Sequence, residues 1–431
     1  MEEKELYLRS FLASLASGMI SPFISLYALY LGASNSMIGL ISTGRNLATM
    51  LSQFLSGFLT SYLKRRKWVV MLSDMIWALM WIPIAYAKTP IHLLLLLTLQ
   101  SFLAAISIPS WTTILMATIP SYRLGRFTGN LNSASGIASF IGNMVAGIIL
   151  HFYGFFPFIF YLSSFLGLMA SLSLLTFREP LFRKYNIRFR IADFFKQKDL
   201  IDVLKARMLL NLGVGIASSF FAIYLVEVLG ATKFHVGLIS AVGTISSLLF
   251  YRSWGTLVDY LGRKAVMLGC VIPISFLPLV YALSPHIIFI YLYTFVVNSA
   301  WAGFNIAAFA YLSDNLPREN RSIMLATYNL FSQLPSVIGP FIGGILADIF
   351  SLKFLFFVSM FLRLSSLFMI RKLKEKTGFR QKNYFRFGYE IAGLFDTLEN
   401  FITVYSLVLR EFRKNLVLKS WKRRSTLRKY H

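Results

Sequence analysis

The chain has 431 residues, of which 56% are hydrophobic, 16% aromatic and 14% charged, and its net charge is +25. A soluble globular chain carries about 25% charged residues, so composition excludes a water-soluble enzyme, and it excludes disorder outside the ends. The bases lie between long apolar runs, which points to a membrane surface and not to nucleic acid, and the single cysteine, Cys270, excludes a disulfide framework and a zinc cluster.

A bilayer core about 30 Å thick is crossed by about 20 apolar helical residues. Twelve stretches reach that length in chain order: 8–31, 37–60, 68–87, 91–118, 128–150, 154–177, 207–230, 236–258, 265–284, 287–313, 323–347 and 354–370. Residues 1–5 are acidic and the run after them is long enough to span, so no cleaved signal is read there. The runs are too long for barrel strands of about 10 residues, and they do not alternate.

Lysine and arginine set the orientation. With both termini cytoplasmic, the cytoplasmic segments hold 37 bases, counting Arg9 with the N-terminus and Arg207 with the central linker. The outer loops hold three, Lys88, Lys233 and Lys353, and Arg45, Arg252 and Arg363 fall inside spans. That imbalance is the positive-inside pattern.

Shifted by 198 residues, the halves match over the first two spans. Gly32-Ala33 meets Gly230-Ala231, Gly39-Leu40-Ile41-Ser42 meets Gly237-Leu238-Ile239-Ser240, and Arg9 meets Arg207. The predicted fold is an all-α integral membrane protein of twelve helices in two parallel six-helix repeats. Its parts are 1–177, a cytoplasmic linker 178–206, a second half 207–370 and a basic cytoplasmic tail 371–431.

The most specific motif joins the eighth and ninth spans: Gly255, Asp259, Gly262, Arg263 and Lys264 in the pattern G-x-x-x-D-x-x-G-R-[KR]. Gly255 allows close helix approach, Asp259 can accept hydrogen bonds from a helix N-terminus, and Gly262 makes the turn. The first half keeps Gly57 and Arg65-Arg66, but Ser61 replaces the acid and Lys64 the second glycine. With its loop and its repeat, the chain resembles the major facilitator superfamily over about residues 6–370. The resemblance implies a transporter working by alternating access, with this loop helping to hold the cytoplasmic side closed. Gly57, Arg65, Gly255, Asp259, Gly262, Arg263 and Lys264 are its gating candidates.

Polar and small residues recur at helical spacing in six spans. The sets are Ser14 to Ser25, Arg45 with Thr49 and Gln53, Gln100 with Trp111, Asn211 with Gly215, Asn298 with Trp301 and Asn305, and Asn329 with Gln333. Intervals of 3, 4, 7 and 11 keep each set on one helix face. The resemblance implies that spans one, four, seven and ten line a central cavity. The substrate-binding candidates are therefore Arg45, Gln100, Trp111, Asn211, Asn298, Trp301, Asn305, Asn329 and Gln333; helix packing by small residues is the other reading of the stripes.

A charge at the bilayer centre costs about 2.5–3.5 kcal/mol on an insertion scale. Arg252 and Arg363 lie about 10 Å from the cytoplasmic edge and are expected to snorkel. Arg45 lies deeper, so it either meets an anion in the cavity or is structural. Asp74 either pairs with a base such as Arg123 or carries a proton, and Glu227 is either a gate or a solvated rim residue. Span four lacks the arginine three residues before Gln100 that many proton-driven drug exporters of the family carry; Leu97 stands there.

In the tail, Ile391, Leu394, Phe395, Leu398, Ile402, Tyr405, Leu409 and Phe412 recur at helical intervals. They predict an amphipathic helix on the inner leaflet, with Lys422-Arg423-Arg424 on anionic lipid, or a helix that docks a partner. The function expected is a monomeric secondary transporter in the cell membrane that moves a small molecule with proton coupling and without metal, cofactor or nucleic acid. Export of hydrophobic or organic compounds leads; organic-anion transport through Arg45 is the alternative, and lipid handling ranks behind both.

Overall fold

The computed structural model describes residues 2–61, 65–179, 194–316 and 321–374. The predicted tail helix and the Lys422 cluster lie outside the described residues. Among the described residues every regular element is a helix.

In the first half, α1 comprises Glu2–Ile20, a 3-10 turn at Ser21–Phe23 and Ile24–Tyr30, α2 is Asn35–Ser61, and α3 comprises Lys67–Leu79 and Trp81–Ala85. Helix α4 comprises Pro90–Ala105 and Ser107–Thr118, α5 is Ser121–Phe152 and α6 is Phe156–Leu172. In the second half, α7 comprises Lys198–Ser218, Phe221–Ile223 and a π turn at Tyr224–Val228, α8 is Lys233–Leu261 and α9 is Arg263–Leu283. Helix α10 is Ile287–Asn315, α11 is Arg321–Ile349 and α12 is Leu352–Arg371.

Ten of these stretches are long and apolar enough to cross a bilayer, and Phe156–Leu172 is apolar but shorter. Local chemistry fixes the ends. Thr89 caps α4 by accepting the backbone N–H of His92, and Ser351 caps α12 by accepting that of Phe354. The turns after α1 and α7 are each made by a glycine in the left-handed region, Gly32 at φ 81° and Gly230 at φ 64°. These two occupy the same place in the repeat. Their end of the bundle is the one that the basic residues put outside, and it is here the outer end.

Packing repeats with the sequence. In the first half α1 packs on α5 and α6, α2 on α4, and α3 on α4 and α6. Six helices on, α7 packs on α11 and α12, α8 on α10, and α9 on α10 and α12. The halves meet along α2 with α11 and α5 with α8. Phe152, Leu95, Leu292, Phe361 and Phe368 are exposed, as a lipid-facing belt requires.

Two expectations are corrected by these helices. The seventh helix begins at Lys198, within the predicted linker 178–206, so Arg207 lies well inside it and not at the first residue of the span 207–230, as Arg9 lies inside α1. Arg363 does not snorkel. It is 1% exposed, its Nη1 donates to the Ile274 carbonyl at 2.9 Å, and its stem packs against Gly213. Pro278 explains the contact: it has no N–H to offer the carbonyl four residues earlier, and that carbonyl belongs to Ile274.

Candidate functional site

Arg9 and Asp74 each lie seven residues into their helices, α1 and α3, about 10 Å along the axis at 1.5 Å per residue. Arg9 Nε donates to Asp74 Oδ2 at 2.8 Å and Nη2 donates to Oδ1 at 2.9 Å. The guanidinium lies 4.1 Å from the Trp111 ring centroid, so Trp111 of α4 is the platform under a two-pronged ion pair. The pair is largely shielded, with side chains 12% and 14% exposed. Arg123 is therefore not the partner of Asp74. It reaches Glu3 at 3.3 Å on the exposed surface instead.

Arg207, the repeat equivalent of Arg9, has different company. Its Nη1 donates to Asn305 Oδ1 at 3.2 Å. Its guanidinium stands 5.1 Å from the Phe304 ring centroid and 5.6 Å from that of Trp301, and the two rings meet edge to face at 5.9 Å. The shift of 198 residues puts Ile272 where the first half has Asp74.

The remaining predicted polar residues divide. Gln100 is buried and donates to the Trp77 carbonyl at 2.9 Å, and Asn211 is buried and donates to the Ser332 carbonyl at 2.7 Å. Asn298 donates to the Thr294 carbonyl at 2.9 Å on its own helix and packs on Gly243. All three amides are engaged by backbone carbonyls, two on a neighbouring helix and one on its own. Asn305, Asn329 and Gln333 are exposed.

Arg45 sits among contacts that cross the halves. Ser219 Oγ donates to Ser42 Oγ at 2.8 Å, Thr43 Oγ1 donates to the Val337 carbonyl at 2.7 Å, and Asn46 Nδ2 donates to the Ser336 carbonyl at 2.7 Å. Arg45 itself is half-buried, and its Nε has no hydrogen-bond partner among the described residues.

The two interfaces between halves are tight at the outer end. The Asp348 carboxylate accepts the backbone N–H groups of Asn35 at 3.2 Å and Ser36 at 2.8 Å, and a Cβ on Gly344 would lie 2.5 Å from the Asn35 carbonyl oxygen. On the other side, a Cβ on Gly237 would lie 2.5 Å from the Asn143 carbonyl oxygen. Toward the cytoplasmic end a Cβ on Gly129 or Gly255 meets nothing within 4 Å among the described residues, and the α11 face that touches α2 continues into exposed Gln333 and Asn329. The halves are tied at the end of the bundle that carries Gly32 and Gly230.

The family model of the Major Facilitator Superfamily matches residues 6–207 and again 203–427. The chain belongs to the major facilitator superfamily. It is 26% identical over 362 residues to the uncharacterised MFS-type transporter MJ1560 of Methanocaldococcus jannaschii, covering 80% of this chain and 90% of that one. It is 26% identical over 369 residues to the multidrug resistance protein MdtG of Enterobacter lignolyticus, covering 81% and 86% of the two chains. Among solved structures it is similar to the nucleoside transporter NupG, with a TM-score of 0.74 at 16% identity over 86% of this chain and 98% of the other, a likeness of fold. The chain is thus a multi-pass membrane transporter of this superfamily.

The superfamily loop is built as its residues suggest, but its bonds differ from expectation. Gly262 has φ 94° and joins α8 to α9, with Arg263 and Lys264 opening α9. Arg263 Nε donates to Asp314 Oδ2 at 3.0 Å and Nη1 donates to the Val258 carbonyl at 3.2 Å, while Asp259 is a weaker partner at 3.6 Å. Asp259 is 78% exposed and accepts no helix N-terminus among the described residues, and a Cβ on Gly255 meets no described atom within 4 Å. In the first half the missing acid is supplied from elsewhere. Glu179 Oε1 accepts the backbone N–H groups of Arg66 and Lys67, and Lys67 Nζ donates to the carbonyls of Leu175 and Phe177 at 2.6 and 2.7 Å. Burial pulls the Arg66 guanidinium below its ordinary pKa, and the Glu179 charge opposes this. Arg65 is exposed, and the surroundings of Gly57 lie outside the described residues. Glu227 is exposed in the π turn at the outer end.

Proposed function

We propose that this transporter exports a small organic solute by alternating access between its two halves, in exchange for protons taken up at the Arg9–Asp74 pair. The observation that carries the reading is that pair itself: a shielded carboxylate held by a guanidinium, in a bundle whose halves are tied at one end. A proton delivered to Asp74 would dissolve the pair and release Arg9, changing how α1, α3 and α4 are tied. Export is supported by the drug-resistance name of the MdtG relative. Arg45 favours a second reading, transport of an organic anion, since its buried Nε has no partner among the described residues.

The test is transport in proteoliposomes with a panel of cationic dyes and organic anions, with and without a pH gradient. Export predicts accumulation that depends on the gradient and is lost in Asp74→Asn. Gradient-independent movement, unchanged in Asp74→Asn, would remove proton exchange from the proposal.

A further inference from the structure

Arg9 and Arg207 stand at matched positions, and among the described residues only Arg9 has an acid beside it. Arg9 spends two donors on Asp74, whereas Ile272 stands at the matching place beside Arg207. Among the described residues, what Arg207 has is one amide oxygen and two ring faces. A guanidinium offers five N–H donors and no acceptor, so the Asn305 oxygen must face it, and the Asn305 amide nitrogen is then turned outward as a further donor. Asn305 is exposed, and Asn329 and Gln333 are exposed on α11. An uncompensated charge on a membrane helix is costly unless water or an anion pairs with it.

We infer that Arg207 and Asn305, with Trp301 and Phe304 beside them, form the subsite for the acidic group of an aromatic organic anion. The guanidinium and the amide N–H would hold a carboxylate or phosphonate, and the Trp301 and Phe304 rings would pack on the solute's own ring. Arg9, already neutralised, takes no part in holding it. The inference rests on the transporter reading and names the substrate class of that transporter.

The experiment measures binding of naphthalene-1-carboxylate, naphthalene-1-phosphonate, the matching carboxamide and the matching methylammonium to the purified protein in neutral-lipid nanodiscs. The two anions should bind at least about tenfold tighter than the amide, because charge-assisted bidentate bonds are the strong ones. Arg207→Gln should erase that preference and Arg207→Lys should restore part of it. Should Arg207→Gln fail to fold, Asn305→Asp keeps the test open. It places a carboxylate beside Arg207, copying the first half, and should abolish anion binding while the protein stays folded. Equal affinity for carboxylate and carboxamide, or unchanged anion affinity in Asn305→Asp, would overturn the assignment. So would binding of short-chain phosphatidylglycerol, added in a separate arm, with no naphthoate binding. Solute flux in proteoliposomes separates the two levels. Dye transport with no anion preference sinks the subsite and leaves the transporter, while anion binding without flux of any solute keeps the subsite and sinks the export proposal.

Discussion

Asp348 Oδ2 accepts the backbone N–H of Ser36 at 2.8 Å, tying the last turn of α11 in one half to the first turn of α2 in the other. The first N–H groups of a helix have no partner within it, and the helix dipole favours an anion there, so one carboxylate serves both needs. The bond can exist only while the outer end is closed. Asp348→Ala is therefore expected to shift the protein toward the outward-open state, with a smaller shift for Asp348→Asn, whose amide oxygen can still accept. The check is the labelling rate of single cysteines near Gly39 and near Asn329 in a background lacking Cys270. Faster labelling at the outer position and slower labelling at the inner one is expected; unchanged rates would mean that the Gly39 and Gly344 packing alone holds the gate.

The Arg9–Asp74 pair gives a stability prediction with a built-in control. Removing one partner of a shielded pair leaves the other charge uncompensated, which costs about 3–5 kcal/mol when burial is complete. Arg9→Gln and Asp74→Asn should each lower the melting temperature in detergent. The double variant should recover much of the loss, since neither charge then remains. Additive losses would show that the two residues act separately.

At the cytoplasmic loop, Asp314 holds Arg263 more closely than Asp259 does. Asp259→Asn is expected to leave stability within about 0.5 kcal/mol, as exposed substitutions usually do, and to act only on the inward-closed state. Asp314→Asn should lower stability more, because it removes the charge that strengthens the 3.0 Å bond from Arg263. Thermal melts of the two variants decide the order. A larger loss for Asp259→Asn would return the latch to that residue.

Helix positions, the repeat and the superfamily loop are legible in the sequence because each rests on local pattern: long apolar runs, a fixed shift, a glycine turn at Gly262. The partners of charges are less so. Depth alone does not give Asp74 its partner, and Arg9 is hidden because it stands at the very start of the stretch 8–31, where it reads as an N-terminal base, although α1 begins at Glu2. The signal available is the alignment of Arg9 with Arg207, two bases kept at matched places in divergent halves. Asp314, Asp348 and Glu179 cannot be found from periodicity, since each acts on a helix distant in sequence. Arg363 defeats the snorkelling expectation because distance to the membrane edge says nothing about which face of α12 it occupies.

Arg363 gives the sharpest test of packing inside the second half. Its Nη1 replaces the N–H that Pro278 cannot offer to the Ile274 carbonyl, while its Nε and Nη2 are buried without partners among the described residues. Burying those groups opposes folding, and holding the carbonyl favours it. Arg363→Met keeps the stem and removes both effects, so its net cost should be small, within about 1–3 kcal/mol, the penalty of one unmade buried bond. Pro278→Ala supplies the missing N–H and lets Ile274 bond within α9. In that background Arg363→Met should cost less than in the wild type, or stabilise. Melting temperatures of the four proteins in the cycle give the coupling directly. A coupling of zero would mean that Arg363 does not hold the proline break and that its burial answers to something else in the half formed by α7, α9 and α12.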